Sequence, residues 1–559
     1  MSFLGEIKRR KVFKVAVVYA VIAWLLVQII VTVESPLNLP NWTDTLVIVL
    51  VIVGFPVALM LAWALEITPE GTVRKQSSAA TGSIVAPPNF PPSGTIIDSL
   101  AVLPFETSTH TPDAEYLSDG ITETLINIFA ELPQLNVVAR STVFRHKGGD
   151  PVSVGQDLGV GAVLTGRVFY QDKSLVIGAE LIDVKTSSQL WGQQYRREIA
   201  DIFDIQEGIA REISETLHSR MAGEQKELFD HRETKEHEAY QAYLRGRYYW
   251  NQRTPEGMRK AVDHFNDAIE RDPAYASAYS GLGDAFAMLG IYQVLRPKDS
   301  FPRAKVAARR ALEIKPDLGE AFATLGFSSI YYDWDNAAGE QALLKAIELA
   351  PQYPSAYQWY GMCLALTDRI DDAIKAWKMA QDLDPFSASI NYTAIWPFYW
   401  SHRTDEAIEA SVRAVGLHPE FWGAHYYLGL AYAQNEDFIS AIAALWKAQE
   451  FSNNTWLLEG LGYCYARAGR TTDVNSVLGE LKTLSEQKYV APYSFAAVYA
   501  GLQDTDAVIK WLDAAVMDRS WRMAWLCVDP FFDDVRKDPR FQLLLTKATG
   551  PKGADANNG

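Results

Sequence analysis

Cysteine is nearly absent: Cys363, Cys464 and Cys527 are the only three in 559 residues. They are odd in number, stand far apart, form no C-x-x-C pair and have no histidine at metal-ligand spacing beside them. A disulfide framework and a zinc motif are thereby excluded, and three small core residues in a reducing compartment are expected. Histidine is also thin, with nine scattered copies, and no nucleophile elbow accompanies it. No catalytic residue, cofactor or metal is expected. Positive charge is short as well, 52 Lys and Arg against 68 Asp and Glu, for a net charge of −16. Residues 1–75 run the other way, with seven basic residues against five acidic ones, so the rest of the chain carries −18. A body that acidic is repelled by phosphate backbones, which argues against nucleic-acid binding. A membrane-bound transcription regulator would need a basic helix-turn-helix, and the 11 residues ahead of the first apolar run leave no room for one.

Apolar residues are plentiful, at 48%. Residues 12–33 are apolar except for Lys14, Gln28 and Thr32, and residues 45–65 form a second such run interrupted only by Gly54 and Pro56. Each is long enough to cross a hydrocarbon core of about 30 Å as a helix. A cleaved signal peptide fits the first run poorly, because it is too long and a second span follows closely. Five Lys or Arg flank the first run, two follow the second, and the loop Glu34–Asp44 has none. The chain is therefore expected to carry a membrane anchor at 1–75, a hairpin of two transmembrane helices with both ends facing the cytoplasm, multi-pass in the inner membrane. Residues 76–97, rich in Ser, Ala, Gly and Pro, read as a flexible linker.

Residues 98–222 alternate in type. Apolar strands are expected at Leu100–Pro104 and Asn136–Ala139, helices at Tyr116–Leu132 and around Val152–Leu158, then strands Ala162–Tyr170, Leu175–Asp183 and Gln189–Glu198, and a last helix from Asp201 to about Ser219. The order βαβαβββα predicts a small α/β domain built on one mixed sheet. Four segments carry a resemblance: Ser99-Leu100-Ala101-Val102-Leu103-Pro104-Phe105, Leu117-Ser118-Asp119-Gly120-Ile121-Thr122-Glu123, Leu158-Gly159-Val160-Gly161-Ala162-Val163-Leu164-Thr165-Gly166 and Gln189-Leu190-Trp191. Over about 120 residues this stretch resembles the TolB-like amino-terminal domain of bacterial chains that continue into tetratricopeptide repeats. That family places the domain beside varied modules, adenylate cyclases and winged-helix regulators among them, so the resemblance implies a signalling or assembly context without fixing an activity. A nucleotide-handling enzyme would use the Gly155, Gly159, Gly161, Gly166 series as a phosphate cradle. The series lacks the Lys-Ser/Thr ending of a P-loop and precedes a strand, so turn glycines are the better reading. Asp119 and Glu123, one helical turn apart, are read as acids at the opening of a helix, favoured there by its dipole.

From about residue 236 the pattern is purely helical and prolines mark its period. Pro316, Pro351, Pro385 and Pro419 are spaced by 35, 34 and 34 residues, and Asn453 follows after another 34. Two helices per 34 residues is the tetratricopeptide signature. First helices place Leu282-Gly283, Leu325-Gly326, Tyr360-Gly361, Leu428-Gly429 and Leu461-Gly462 at one position. Second helices repeat a small-large-small stripe, as in Ala261, Phe265, Ala268 and Ala373, Trp377, Ala380. An all-α solenoid is expected over residues 230–548, with an insertion near Tyr292–Phe301, Ile395 where other units use Gly, a cap at Asp529–Leu545, and a disordered tail at 549–559.

Laying the family pattern on these units, first helices line the concave groove with Phe327, Gln358, Met362, Tyr392, Trp396, Tyr399, Tyr426 and Leu430. Such a surface is aromatic and apolar and is expected to bind protein partners. The alternative is that some of these aromatics pack against the insertion or neighbouring helices. The chain thus reads as a multidomain, membrane-anchored interaction scaffold binding protein partners of unknown identity, with self-association open. The other class of reading is a regulatory or enzymatic activity in the α/β domain.

Overall fold

The computed structural model describes residues 97–107, 112–130, 132, 135–171, 174–198, 202–218 and 233–549. The two expected spans and nearly all of the 76–97 linker and the 549–559 tail lie outside the described residues. Among the described residues no helix is long and apolar enough to cross a membrane. The chain divides into two compact units, Met1–Pro92 and Ser93–Gly559, and all described residues belong to the second.

The α/β part is one sheet in the order β3-β1-β4-β5-β6, with β2 paired to β4. Its strands are β1 (Ser99–Val102), β2 (Glu106–Thr107), β3 (Asn136–Val137), β4 (Ala162–Gln171), β5 (Ser174–Asp183) and β6 (Ser188–Glu198). The pairs β1–β3 and β1–β4 are parallel, while β4–β5 and β5–β6 are antiparallel. Leu100, Ala101 and Val102 are fully buried, as a central parallel strand covered on both faces requires. Four helices complete this part: α1 (Pro112–Ala130), α2 (Arg140–Phe144), α3 (Pro151–Leu158) and α4 (Ile202–His218). Strand β2 and helix α2 are additions to the expected order, too short to leave a period in the sequence. Helix α3 is capped at its start by Asp150, whose carboxylate accepts from Ser153 N at 2.9 Å, and ends at Gly159 in the left-handed region, φ +67°.

The array begins with the helix His237–Asn251, whose Ala239, Tyr240, Ala242 and Leu244 share the core of the α/β part. Paired helices then stack to Asp518. The expected stripe is fully buried: Ala261, Phe265, Ala268, Ala373, Trp377 and Ala380. First-helix glycines sit where a Cβ would strike the neighbouring helix: one added to Gly326 would lie 2.7 Å from Leu343 Cγ, and one added to Gly361 would lie 2.9 Å from Trp377 Cε3. One unit departs from the rest. Its first helix breaks into Ala388–Thr393 and Trp396–Trp400, because Pro397 has no N–H to continue the ladder.

The cap expected at Asp529–Leu545 is realised only in its last part. After Asp518 the chain makes two 3₁₀ turns, Trp521–Trp525 and Pro530–Val535, which run along the inner side of the array. Only Pro539–Thr549 returns to pack on the last repeat helix, joined by Arg540–Asp506 at 2.7 Å and Lys547–Asp513 at 3.1 Å.

Candidate functional site

The inner face of the array is where the eight groove residues lie, and seven of them are buried rather than open to solvent. Phe327 packs on Tyr331 and Trp359, with ring centroids 4.6 and 4.7 Å away. Gln358 Nε2 donates to Ser389 O at 3.2 Å and Thr393 Oγ1 at 2.9 Å, tying one unit to the next. Met362 Sδ accepts from Tyr331 OH at 3.1 Å. Tyr392, the one half-buried member, touches Trp396 and Phe421. Tyr399 packs on Tyr427, and its carbonyl accepts from Gln434 Nε2 at 2.9 Å. Tyr426 OH donates to Glu459 Oε1 at 3.3 Å. Leu430 and Tyr399 border a cavity of about 150 Å³ with His402, Arg467, Asp533 and Asp534.

Trp396, 3% exposed, shows what closes the face. Its ring lies 4.8 Å from Trp525 and 5.1 Å from Trp400. Trp525 also meets Trp400, Trp456 and Trp521, and Trp521 reaches Tyr331 on an early unit. The expectation of an open aromatic groove is therefore corrected: the chain's own segment Trp521–Val535 occupies it. Inner-helix position was legible in the sequence, but exposure depends on a segment outside the 34-residue period. The signal available was Trp521-Arg522-Met523-Ala524-Trp525, two indoles four residues apart flanking a cation.

Arg522 is the polar centre of this contact, at 2% exposure. Its guanidinium pairs with Glu459, which is fully buried on the inner side of the helix Thr455–Arg467, and with Asp529 at 3.6 Å. It also lies over the rings of Tyr493, Trp525 and Trp456 at 4.6, 5.0 and 5.1 Å. Burial pushes the Asp529 carboxyl up, against the opposing pull of Arg522 and of the Tyr493 hydroxyl, which donates to it at 2.7 Å. At the rim, His402 and Asp533 pair at 3.2 Å and Arg467 and Asp534 at 2.7 Å. The insertion takes part too: Gln293 Oε1 accepts from Thr455 Oγ1 at 3.1 Å and from Ala491 N at 3.3 Å, so an early loop touches two late units.

A second polar cluster joins the α/β part to the array. Glu123 accepts from Arg247 Nη2 at 2.6 Å and Asn251 Nδ2 at 2.8 Å, and forms an ion pair with Arg140 at 2.9 Å. Burial alone would raise its pKa, but Arg247 and Arg140 outweigh that and hold the carboxyl below its ordinary value. Asp119 is raised by burial and pairs with Lys147 at 3.2 Å. Neither acid opens the helix: α1 starts at Pro112, which places both in its interior, facing the interface. The glycine series is no phosphate cradle either. Gly159 terminates α3 with carbonyls, and Gly166 lies where a Cβ would meet Phe105 Cε2 at 2.5 Å.

A family comparison agrees with the repeat reading. The family model described as tetratricopeptide repeat matches residues 243–294, 333–388 and 400–454. Among curated proteins, putative adenylate cyclase 3 of Rhizobium meliloti (strain 1021) is 33% identical over 202 residues, covering 35% of this chain and 34% of that protein. The transcriptional regulator HilA of Salmonella typhimurium is 23% identical over 166 residues, 30% of each chain. The chain spans about a third of the length of the curated relatives it matches. Among solved structures, YrrB, titled a TPR protein with an unusual peptide-binding site, is 18% identical with a TM-score of 0.25, over 35% of this chain and 95% of that one. The C-terminal part of the chain is a tetratricopeptide-repeat solenoid, preceded by a small mixed α/β domain.

Proposed function

We propose that this chain is a protein-interaction scaffold held at the inner membrane by spans at 12–33 and 45–65, with the TolB-like domain (98–222) and the repeat array (230–548) in the cytoplasm. It acts by binding rather than by chemistry. The observation that carries the reading is the array itself, whose stacked helix pairs already hold a non-repeat segment of 3₁₀ turns against their inner helices. The rigid seam at Glu123 supports the α/β domain as a second docking surface presented in fixed orientation. A signalling or assembly context is supported by the names of the partial relatives, a cyclase and a transcriptional regulator.

Two experiments test this reading. A reporter active only outside the cytoplasm should stay silent when fused after Lys75 and signal when placed in the loop 38–41; the reverse pattern overturns the topology. Cross-linking of the full chain in native membranes, mapped by mass spectrometry, should recover a reproducible partner linked to residues 233–549. Links confined to the lipid-flanking segment would contradict a scaffold role for the array.

A further inference from the structure

The segment in the groove has the anatomy of a ligand. It lies outside the repeat and pairs with no helix of its own. It inserts Trp521, Arg522 and Trp525, residue types that dominate binding hot spots, across inner helices from Tyr331 to Trp456. Its two ends are anchored on one helix, at opposite ends of it. Arg519, at φ +57°, turns the chain sharply off the helix Thr505–Asp518, and Pro539–Thr549 returns to that same helix. Both anchors are separate from the contacts that Trp521, Arg522 and Trp525 make in the groove.

Its fit is also imperfect. The indole N–H groups of Trp396, Trp456 and Trp521 and Arg522 Nε are buried with no protein acceptor, and Glu459 Oε2 has no donor. A buried ion pair such as Arg522 with Glu459 adds little to stability yet specifies a partner strongly, because removing either member strands the other. The rim pairs at His402 and Arg467 are partly exposed and contribute little.

We propose that the inner face is a binding site for an aromatic–basic peptide segment, a Trp-Arg-x-x-Trp type with the arginine seated on Glu459. Residues 520–535 are its resident occupant, and a partner segment of the same chemistry displaces them. This rests on the scaffold reading and names the partner class of its groove.

The test is titration of a fluorescent peptide spanning residues 519–537 into the full chain in detergent. The wild-type chain should bind weakly, because the resident segment competes. The Arg522→Ala chain, whose own segment leaves Glu459 without a counter-charge, should bind at least tenfold more tightly, and a peptide carrying Arg522→Ala should fail on both. An Arg522→Ala chain that keeps its helical content and melting behaviour but takes up no peptide overturns the proposal. If that variant does not fold, hydrogen exchange on the wild type decides. Amides of 520–535 exchanging ahead of those in 455–467 and 492–501 support displacement, and exchange in step with them overturns it. The titration reports on the groove alone, whereas the membrane cross-links report on the existence of a partner, so failure of one is distinguishable from failure of the other.

Discussion

The two ends of the array meet their neighbours through opposite chemistry. At the N-terminal end, the α/β domain is held by a charged hub, Glu123 among Arg247, Arg140 and Asn251. At the C-terminal end, residues 521–535 are held by stacked indoles and tyrosines with one buried ion pair at their centre. A charged hub fixes orientation, because each donor has one geometry that satisfies it. An aromatic face supplies burial and tolerates an exchange of occupants, because most of its attraction is non-directional. The difference suggests a fixed joint at one end and an exchangeable contact at the other.

The comparison is broken most directly at Glu123. Glu123→Ala strands two half-buried guanidinium groups and should cost about 3 kcal/mol, the low end for a buried pair because solvent still reaches both. The loss should show as a separate, earlier transition of the α/β domain in calorimetry, with the array transition nearly unmoved. A single transition shifted as a whole would mean that the joint is not a boundary.

Trp396→Ala sharpens the other side. Trp396 packs on Tyr392, Trp400 and Tyr427 of the array as well as on Trp525, so truncation should lower array stability by about 3–5 kcal/mol, at the low end if the groove collapses. An unchanged denaturation midpoint would show that this indole serves binding alone.

Asp284 tests the polar interior of the early repeats. It is 3% exposed, accepts from Thr324 Oγ1, and burial raises its pKa to about 6. Because the folded value lies above the unfolded one, its contribution is fully present below about pH 3.8 and is lost as pH rises through 6, a fall of about 3 kcal/mol. Asp284→Asn should flatten that slope in urea titrations between pH 4 and 7. A variant with the wild-type slope would assign the effect to other groups.

The smallest effect is expected at Gly159. Its left-handed φ with open space around it means that Gly159→Ala meets backbone strain alone, about 1 kcal/mol, with no change in the sheet's spectroscopic signature.

How much of this was legible in the sequence follows from where the signals lie. The repeat period, the glycine contacts and the small-large-small stripes are local patterns, and the structure realises them as written. The role of Glu123 was hidden by a helix start placed four residues late at Tyr116; Thr111-Pro112-Asp113 carried the start signal, a proline at the first helical turn. Arg247 and Asn251 lie more than a hundred residues downstream and Arg140 lies beyond an intervening strand, where no local rule connects them. The fate of the groove aromatics was hidden for a related reason. A first-helix residue faces inward whatever fills the interior, and the filler here comes from the least periodic stretch of the chain.

The central claim is that residues 521–535 occupy the inner face in cis. It is tested most directly by placing a photo-reactive phenylalanine analogue at Phe531, whose ring lies 4.7 Å from Tyr463, in full-length chains mixed with isotopically labelled copies in membranes. The account predicts cross-links from that position to residues 455–467 of the same copy. Links to labelled copies only, or none to the repeat helices, would contradict it.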